Sequence, residues 1–397
     1  MKPKIFLTRK IPESGLSNLR KHCEVEISPH HRVLSKEELM QALQGKDALL
    51  CQINDNIDAD IINANPGLRA ISICAVGHNN IDIVAATEKQ IPVCHTPFVS
   101  TETVADHIMT LTLAIARRIV EADKYVRSNQ FKDWSPALFM GRDVAGKTIG
   151  IIGAGRIGSA VAKRAANGFG MKVLYHDPKS KIDGAEASTL EDLLKNSDFV
   201  TLQVPLTEKT RHLIGIKELN LMKRTSYLIN ASRGPVVDEG ALVHALRTNS
   251  IAGAALDVFE EEPHLKEGLA ELENVILTPH IASATKETRN AMAEIAADNL
   301  LAVLQGKKPK HQANSEVKVG KGYTAPFIMV NGRVLKNKAE LLKAFLESED
   351  HHFHHHVTGE RNDFSNWTRA VLKDTKLAKK LDNACSRLEA AEALKAN

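Results

Sequence analysis

Short apolar runs alternate with amphipathic stretches over residues 1–305 of the chain. Apolar runs of a few residues are typical of buried strands, whereas apolar positions spaced by three and four are typical of helices. The runs predict strands at 5–8, 48–53, 70–75, 91–94, 148–153, 172–176, 199–203, 227–230, 254–257 and 275–277. Regular alternation of strand and helix favours parallel sheets covered by helices on both faces. We therefore predict an α/β protein with two Rossmann-like, doubly wound parallel-sheet domains.

Two long helical patterns, at 101–126 and 285–303, flank the second group of strands. The first pattern is apolar almost all round, so we expect that helix to be buried. After the second pattern the chain is expected to return to its first domain. The sequence therefore predicts a discontinuous, flavodoxin-like domain of residues 1–100 and 283–315, and a Rossmann domain of residues 101–282.

Two capping boxes predict where helices begin. Ser35 is followed three positions later by Glu38, and Ser188 is followed in the same way by Glu191. In such a box the serine side chain accepts a hydrogen bond from the backbone N–H of the acidic residue, and the acidic side chain accepts one from the N–H of the serine. The second box opens a helix predicted at 190–194, and a further helix is predicted at 239–247.

The composition changes beyond Gly306. Residues 316–326 are polar and glycine-rich, and they predict a linker. Asn331-Gly332 lies between two apolar runs and predicts a β-hairpin at 327–336. Three helical stretches follow, with apolar faces formed by Phe364, Trp367, Val371 and Leu372, and by Leu377, Leu381, Ala384, Leu388 and Ala391. Residues 327–397 are therefore predicted to form a small, mostly helical appended domain.

One stretch in the second group of strands carries a glycine motif. Gly153, Gly155 and Gly158 complete G-x-G-x-x-G between a predicted strand and a predicted helix, and Asp177 ends the next strand. In this context the glycines make a tight turn, allow a pyrophosphate to approach the backbone, and let helix and strand pack closely. An acid at the position of Asp177 binds an adenosine ribose and disfavours the extra phosphate of NADP. The stretch predicts an NAD site, with NADP, which Lys179 and Lys181 would assist, as the less favoured alternative.

Charge and cysteine content narrow the class of protein. The net charge is +4 and is spread along the chain, so neither a nucleic-acid nor a membrane partner is expected. The five cysteines include no C-x-x-C pair, which favours buried thiols in a reducing compartment over disulfides or a zinc site. The amino terminus has too short an apolar run for a signal peptide, and no segment is long enough to span a membrane. We therefore predict a cytoplasmic protein.

Three polar residues follow predicted strands of the Rossmann domain: Arg233, Glu262 and His280. Because parallel strands all end at one edge of a sheet, these side chains are expected beside the dinucleotide. An arginine grips a carboxylate through two hydrogen bonds, a histidine exchanges a proton with the reacting oxygen, and a carboxylate orients the imidazole. Each residue alone has a structural explanation: a loop cap, a solvated acid or a core histidine. Together they favour catalysis.

Asp257 also ends a strand of this domain. It could hold the nicotinamide carboxamide, although an aspartate at a strand end is also a common turn residue. The ligand role is slightly preferred.

The chain resembles the D-2-hydroxyacid dehydrogenases, and within them most closely the glyoxylate/hydroxypyruvate reductases, from residue 1 to about 315. The resemblance is carried, in order, by VGHNNID, GKTIGIIGAGRIG, QVPLTEKTRHLIG, LINASRGPVVDEGAL, GAALDVFEEEP and TPHIASAT. The resemblance implies that Arg233, Glu262 and His280 are catalytic. Among the neighbouring acids it favours Glu262, because the catalytic acid of the family directly precedes a proline, here Pro263. It also implies a substrate-binding first domain, an NAD-binding second domain and a homodimer formed through the second domain.

The resemblance further implies which residues contact the ligands. The substrate would be bound by Val76, Gly77, Arg233 and His280. The cofactor would be contacted by Thr103, Gly153, Gly155, Arg156, Ile157, Gly158, Asp177, Val204, Pro205, Ala231, Ser232 and Asp257.

Two departures from the family pattern bear on the substrate. The loop reads GHNN where relatives often carry an aromatic residue and an aspartate, which leaves the preferred side chain open. Residues 52–60 contain Asp55, Asp58 and Asp60 and no basic residue, whereas phosphoglycerate dehydrogenases place an arginine there to hold phosphate.

These features predict hydride transfer between NADH and a small unphosphorylated 2-oxo acid, glyoxylate or hydroxypyruvate, held in a cleft that closes between the two domains. The alternatives are a D-lactate- or 3-phosphoglycerate-type dehydrogenase of the same family, or a non-catalytic NADH-sensing protein similar to the family's corepressors.

The appended domain resembles, over a few positions, a small archaeal and bacterial module of unknown role. Its run HHFHHH, at 351–356, contains metal-binding side chains, but Phe353 interrupts the run and zinc sites usually draw ligands from separated segments. We predict no metal site and expect a docking or oligomerisation role with an unidentified partner.

Overall fold

The structure is a computed structural model that describes residues 2–317, 327–329, 333–358, 362–372 and 374–395. The chain divides into two compact units, one formed by Met1–Pro97 with Asn290–Asn397 and the other by Phe98–Arg289. The predicted Asn331-Gly332 turn and most of the predicted linker lie outside the described residues.

In the first unit, strands and helices alternate along the chain. The elements are β1 (Lys4–Leu7), α1 (Glu13–His22), β2 (Glu24–Ile27), α2 (Lys36–Ala42), β3 (Ala48–Cys51), α3 (Ala59–Ala64), β4 (Ala70–Ile73), α4 (Ile83–Glu88) and β5 (Val93–Cys94). The strands form a parallel sheet in the order β2-β1-β3-β4-β5. Every residue of β3 and β4 is buried, as expected for central strands covered on both faces. The predicted capping box of Ser35 and Glu38 opens α2 and is confirmed.

The second unit contains the larger sheet. Its elements are α5 (Thr101–Ala116), α6 (Ile119–Arg127), β6 (Thr148–Ile152), α7 (Arg156–Phe169), β7 (Lys172–His176), β8 (Glu186–Ala187), α8 (Leu190–Asn196), β9 (Phe199–Leu202), α9 (Ile216–Leu221), β10 (Tyr227–Asn230), α10 (Glu239–Arg247), β11 (Gly253–Leu256) and β12 (Val275–Leu277). The order is β12-β11-β10-β9-β6-β7-β8, and all neighbours are parallel. The winding reverses between β6 and β9, which is where ligands bind in open α/β sheets.

The predicted continuous helix at 101–126 is wrong. Helix α5 ends at Ala116, and α6 begins after Arg118, which takes a left-handed backbone conformation with φ +53°. The Arg118 guanidinium pairs with Glu121 and lies 5.1 Å above the centre of the Phe139 ring. Helix α5 is largely buried, as expected, but α6 has no buried residue.

The predicted capping box of Ser188 and Glu191 is also wrong. The N–H of Ser188 instead donates to Tyr175 O. The helix is capped one position later, by the Thr189 side chain, which accepts a hydrogen bond from Asp192 N.

Helix α11 (Lys286–Leu304) leads back into the first unit, and the appended segment follows. Strands β13 (Phe327–Ile328) and β14 (Val334–Leu335) pair antiparallel, which confirms the strand pairing of the predicted hairpin. The helices are α12 (Lys338–Glu347), α13 (Asp350–His356), α14 (Asp363–Ala370), α15 (Thr375–Asp382) and α16 (Arg387–Lys395). An aromatic core that includes Phe345, Phe353 and Phe364 holds this segment together.

The described part of this segment therefore has five helices where three helical stretches were predicted. Positions 377–391 do not form one face, because Ala384 lies between α15 and α16 and Leu388 is 56% exposed. The missed signal is Ser386, which is followed three residues later by Glu389 and whose side chain accepts a hydrogen bond from Glu389 N.

All five cysteines lie in the described residues and none forms a disulfide. Four are buried, and burial raises the pKa of the Cys94 thiol to about 12. Cys385 differs from the prediction because it is exposed. Within the described residues, no helix combines the length and the apolar character that crossing a membrane would require.

Candidate active site

The turn between β6 and α7 is shaped by its three glycines. Gly153 has φ +105°, and a Cβ there would lie 2.5 Å from Gln203 O. A Cβ on Gly158 would lie 2.1 Å from Gly153 O, so this glycine lets the helix pack against the turn. A Cβ on Gly155 would meet no atom within 4 Å, and the backbone there is ordinary extended chain. No contact within the chain therefore requires Gly155, but the missing side chain leaves room for a ligand to approach the first N–H groups of α7.

Asp177 ties this turn to the end of β7. One carboxylate oxygen accepts a hydrogen bond from Ala154 N at 2.8 Å, and the other accepts from Lys179 N and Ser180 N at 2.7 and 2.8 Å. Burial alone would raise the pKa of Asp177, but these N–H donors hold the pKa below its ordinary value. The side chain is thus an anionic acceptor beside the glycine turn, and it fits an adenosine ribose whose hydroxyls donate hydrogen bonds. The turn, the open start of α7 and this acid together fit NAD.

His280 and Glu262 form a direct pair. His280 Nδ1 lies 2.9 Å from Glu262 Oε2 and 3.2 Å from Oε1, and both side chains are partly exposed. Glu262 also accepts a hydrogen bond from Phe259 N at 3.1 Å. Because Nδ1 faces the carboxylate, Nε2 is the ring nitrogen left to exchange a proton with a ligand.

The loop that carries His280 is held by Asp257. The backbone of His280 is left-handed, with φ +53°, which is uncommon for a residue other than glycine. The Asp257 carboxylate is fully buried and accepts hydrogen bonds from Ile281 N, Ala282 N and the Thr278 hydroxyl at 2.6–2.9 Å. Burial alone would raise the pKa of Asp257, but these donors and His107 hold it below its usual range. Asp257 therefore fixes the His280 loop, and its predicted contact with the carboxamide stays a prediction.

Arg233 follows β10 and lies on a turn that packs against the segment leading to Glu262. Burial lowers the pKa of the Arg233 guanidinium, and the negative charge of Glu262 opposes that shift. A Cβ on Gly234 would lie 1.9 Å from the backbone of Phe259, so only glycine allows this approach. Gly234 was not among the residues predicted from the sequence. Its signal was a glycine directly after a candidate arginine at a strand end.

Two of the three neighbouring acids, Glu260 and Glu262, differ in their contacts. Glu262 pairs with His280, whereas Glu260 pairs with His212 and donates its N–H to the buried Glu239 at 2.8 Å. Burial raises the pKa of Glu239, and the charge of Glu260 adds to that effect. The geometry thus separates Glu262 from its neighbour Glu260.

The other residues predicted to contact the cofactor lie in the same unit. Thr103 and Thr288 share a hydrogen bond of 2.6 Å between their hydroxyls, and the Arg156 guanidinium lies 3.8 Å from the centre of the Phe98 ring. Ile157 is in the first turn of α7 and packs against the core. Two short segments follow the central strands β9 and β10: Val204 with Pro205, and Ala231 with Ser232. Their contacts with the cofactor stay predictions.

The predicted substrate loop follows β4 in the first unit. Val76 is 40% exposed and Gly77 is half-buried. Asn80 holds the loop by donating to Gln52 O at 3.0 Å and to Asp55 O at 2.7 Å.

The acidic residues at 52–60 have partners in the fold that the sequence did not predict. Lys36 pairs with both Asp58 and Asp60, and Asp55 is buried, where it accepts from the Thr8 hydroxyl and from Gln52 N. The segment is therefore compensated by a lysine from α2, and it repels phosphate less than its sequence suggests.

The histidine run lies in helix α13. Phe353 and His356 are buried, and His356 Nδ1 lies 3.2 Å from Asp363 Oδ2. Over the described ranges, no three histidine, cysteine or acidic side chains are grouped so that they could hold a metal ion.

Comparison with known proteins gives the family. Residues 109–282 match the NAD-binding domain of the D-isomer specific 2-hydroxyacid dehydrogenases. A glyoxylate reductase of Thermococcus gammatolerans is 50% identical over 326 residues, which cover 80% of this chain and 97% of that protein. A solved structure from Thermus thermophilus is similar with a TM-score of 0.74 at 43% identity, covering 78% of this chain and 99% of that one.

An NADPH-dependent glyoxylate/hydroxypyruvate reductase of Sinorhizobium meliloti, solved with NADP and malonate, is similar with a TM-score of 0.70 at 30% identity, covering 81% and 99% of the two chains. Because 50% of the 326 aligned residues are identical to a relative whose length is covered to 97%, this chain belongs to the D-isomer specific 2-hydroxyacid dehydrogenase family and is an NAD-binding oxidoreductase.

Proposed function

We propose that the protein reduces a small unphosphorylated 2-oxo acid, glyoxylate or hydroxypyruvate, to glycolate or D-glycerate. The observation that carries this proposal is the contact of 2.9 Å between His280 Nδ1 and Glu262 Oε2, at the sheet edge that bears the glycine turn. Reductases that match most of this chain's length support the same substrate class.

His280 is the proton donor in this proposal. NADH, held at the glycine turn, would supply the hydride for the carbonyl carbon of the 2-oxo acid. The protonated imidazole gives its Nε2 proton to the carbonyl oxygen as negative charge develops there. Glu262 accepts a hydrogen bond from Nδ1, which keeps the ring oriented and stabilises its positive charge. In the reverse direction the neutral ring removes the proton from the alcohol.

Arg233 binds the substrate carboxylate. A guanidinium offers two parallel N–H donors that match the two oxygens of a carboxylate. In the first unit, the N–H groups of Val76 and Gly77 are the proposed donors to the substrate. Partial burial of Arg233 supports this role, because a partly dehydrated cation binds an anion more strongly than one in bulk water.

Asp177 favours NAD over NADP. Its carboxylate is held ionised by three N–H donors. A ribose phosphate beside it would be repelled, whereas a ribose hydroxyl would donate a hydrogen bond.

The test is NADH oxidation measured with glyoxylate, hydroxypyruvate, pyruvate and 3-phosphohydroxypyruvate, and then again with NADPH. We expect the first two substrates to give the highest kcat/KM, and NADH to be preferred. Faster turnover of the phosphorylated substrate would contradict the proposal. A protein that binds NADH but turns over none of these acids would be a nucleotide-sensing binding protein instead.

We propose that the protein is a cytoplasmic homodimer formed through its nucleotide-binding unit. Large apolar side chains are exposed on and after α6, at Ile119, Val126, Phe131, Trp134 and Met140, and burial in a dimer would explain them. Sedimentation of the full chain should give the mass of a dimer at micromolar concentration, and a monomer there would contradict this. Docking of an unidentified partner on residues 327–397 stays part of the proposal.

A further inference from the structure

The Val76–Gly77 peptide in the substrate loop is fixed from one side by a histidine. His95 Nδ1 lies 2.9 Å from Val76 O. A carbonyl oxygen only accepts, so Nδ1 carries the hydrogen and donates to it. The His78 ring packs edge-on against His95, with 5.1 Å between the ring centres.

This contact fixes the direction of the next N–H group. The carbonyl of Val76 and the N–H of Gly77 belong to one planar trans peptide, so they point in opposite directions. Turning the carbonyl toward His95 therefore turns the Gly77 N–H away from it. Among the described residues, nothing accepts a hydrogen bond from this N–H. A half-buried donor without a partner at the carboxyl end of a parallel strand is available to a ligand.

His95 is itself held firmly. Its N–H donates to His311 O at 3.3 Å, and its carbonyl accepts from Asn299 Nδ2 at 3.2 Å. Asn299 is buried on α11, and its Oδ1 accepts from Lys310 N and His311 N at 3.0 and 3.2 Å. The backbone N–H and carbonyl of His95 are thus both held by hydrogen bonds. This is expected of a residue whose side chain orients the Val76–Gly77 peptide.

We propose that His95 is a positioning residue for substrate binding, which aims the Gly77 N–H at the substrate carboxylate by holding the carbonyl of the same peptide. The inference rests on the proposed reduction of a 2-oxo acid. His95 acts through the peptide and does not touch the substrate.

The experiment compares two variants of the full chain. His95→Phe keeps an aromatic ring of similar volume without a donor, whereas His95→Asn keeps an amide N–H close to the position of Nδ1. Without the donor the peptide can rotate, so the phenylalanine variant should raise the KM for glyoxylate and the inhibition constant of oxamate about five- to tenfold, as loss of one hydrogen bond predicts. Its kcat and its Kd for NADH should change less than about twofold, and the asparagine variant should restore both substrate constants.

Equal behaviour of the two variants, an unchanged oxamate constant, or a parallel loss of NADH affinity would overturn the role of His95. If the phenylalanine variant does not fold, a normal oxamate constant in the asparagine variant still supports the role, and a raised one contradicts it. An unmodified protein that turns over no 2-oxo acid would contradict the proposed function itself, before any variant is made.

Discussion

The turn after β1 in the first unit is filled with polar side chains, whereas the turn after β6 in the second unit is held open by glycine. In the first unit the Thr8 hydroxyl donates to the buried Asp55, and Arg9 donates to Thr8 O. Helix α1 then begins with an acid, Glu13, in its first turn, whereas α7 has no acid in its first turn. Two parallel sheets with helical crossovers thus differ at the equivalent turn. The order of the strands places the turns at one edge of each sheet. The residues of each turn then determine whether an anion can approach the start of the following helix.

The largest expected effect concerns the second unit and tests whether proton transfer depends on His280. Removing the imidazole in His280→Ala should lower kcat by about 10²–10⁴, the contribution of a general acid, while the Kd for NADH stays nearly constant. The measurement is steady-state turnover with glyoxylate. His212→Ala is the matched control, because His212 is also left-handed and also pairs with a glutamate, Glu260. If kcat fell by a comparable factor in both variants, the histidines that pair with acids in this unit would have a structural role and not a catalytic one.

A second pair of variants compares a glycine from each unit. Gly155→Val should weaken NADH binding more than about tenfold, because its side chain would stand where a pyrophosphate approaches, and should leave the melting temperature almost unchanged. Gly15→Ala should do the opposite, because a Cβ there would lie 2.3 Å from Ala293 O within the first unit. We expect it to cost about 1–3 kcal/mol of unfolding free energy without altering NADH binding. NADH titration and denaturant unfolding measure the two effects, and a stability loss in Gly155→Val would refute an open turn.

The smallest expected effect concerns the loop of His280. Because the folded-state pKa of Asp257 is depressed, its contribution to stability is present above the unfolded pKa and is lost as the pH falls through the folded value. Asp257→Asn should therefore lower the unfolding free energy at pH 7 by about 1–3 kcal/mol and flatten its decline below about pH 4. Denaturant unfolding at several pH values measures both. The control is Asp143→Asn, because Asp143 is exposed. If the unfolding free energies of the two variants had identical pH profiles, Asp257 would not hold the loop.

The sequence predicted the fold because its signals are local. Continuous apolar runs such as 227–230 match the observed strands, and glycine spacing marked the start of α7. The break at Arg118 was not predicted, and it lies where residues of a later segment make contacts: Arg118 with the Phe139 ring, and Ala116 O with Arg142 N. The position of the α8 cap depended likewise on a hydrogen bond to another strand, from Ser188 N to Tyr175 O.

The residues of the candidate site also differ in whether the sequence alone could predict them. Arg233, Glu262 and His280 could be selected from the sequence because each follows a strand. The sequence did not predict that Asp257 supports His280, or that Lys36 compensates Asp58 and Asp60. These partners are distant in the chain, and only folding brings them together.

The hydrogen bonds of Asp177 connect the proposed cofactor preference with the position of the glycine turn. The carboxylate that we propose discriminates between dinucleotides also accepts a hydrogen bond from Ala154 N, next to the first glycine of the turn. Exchanging Asp177 for a serine or an arginine to recruit NADP would remove that brace along with the discrimination. Such a redesign would need a replacement acceptor for Ala154 N, or the switched enzyme would bind either nucleotide less tightly.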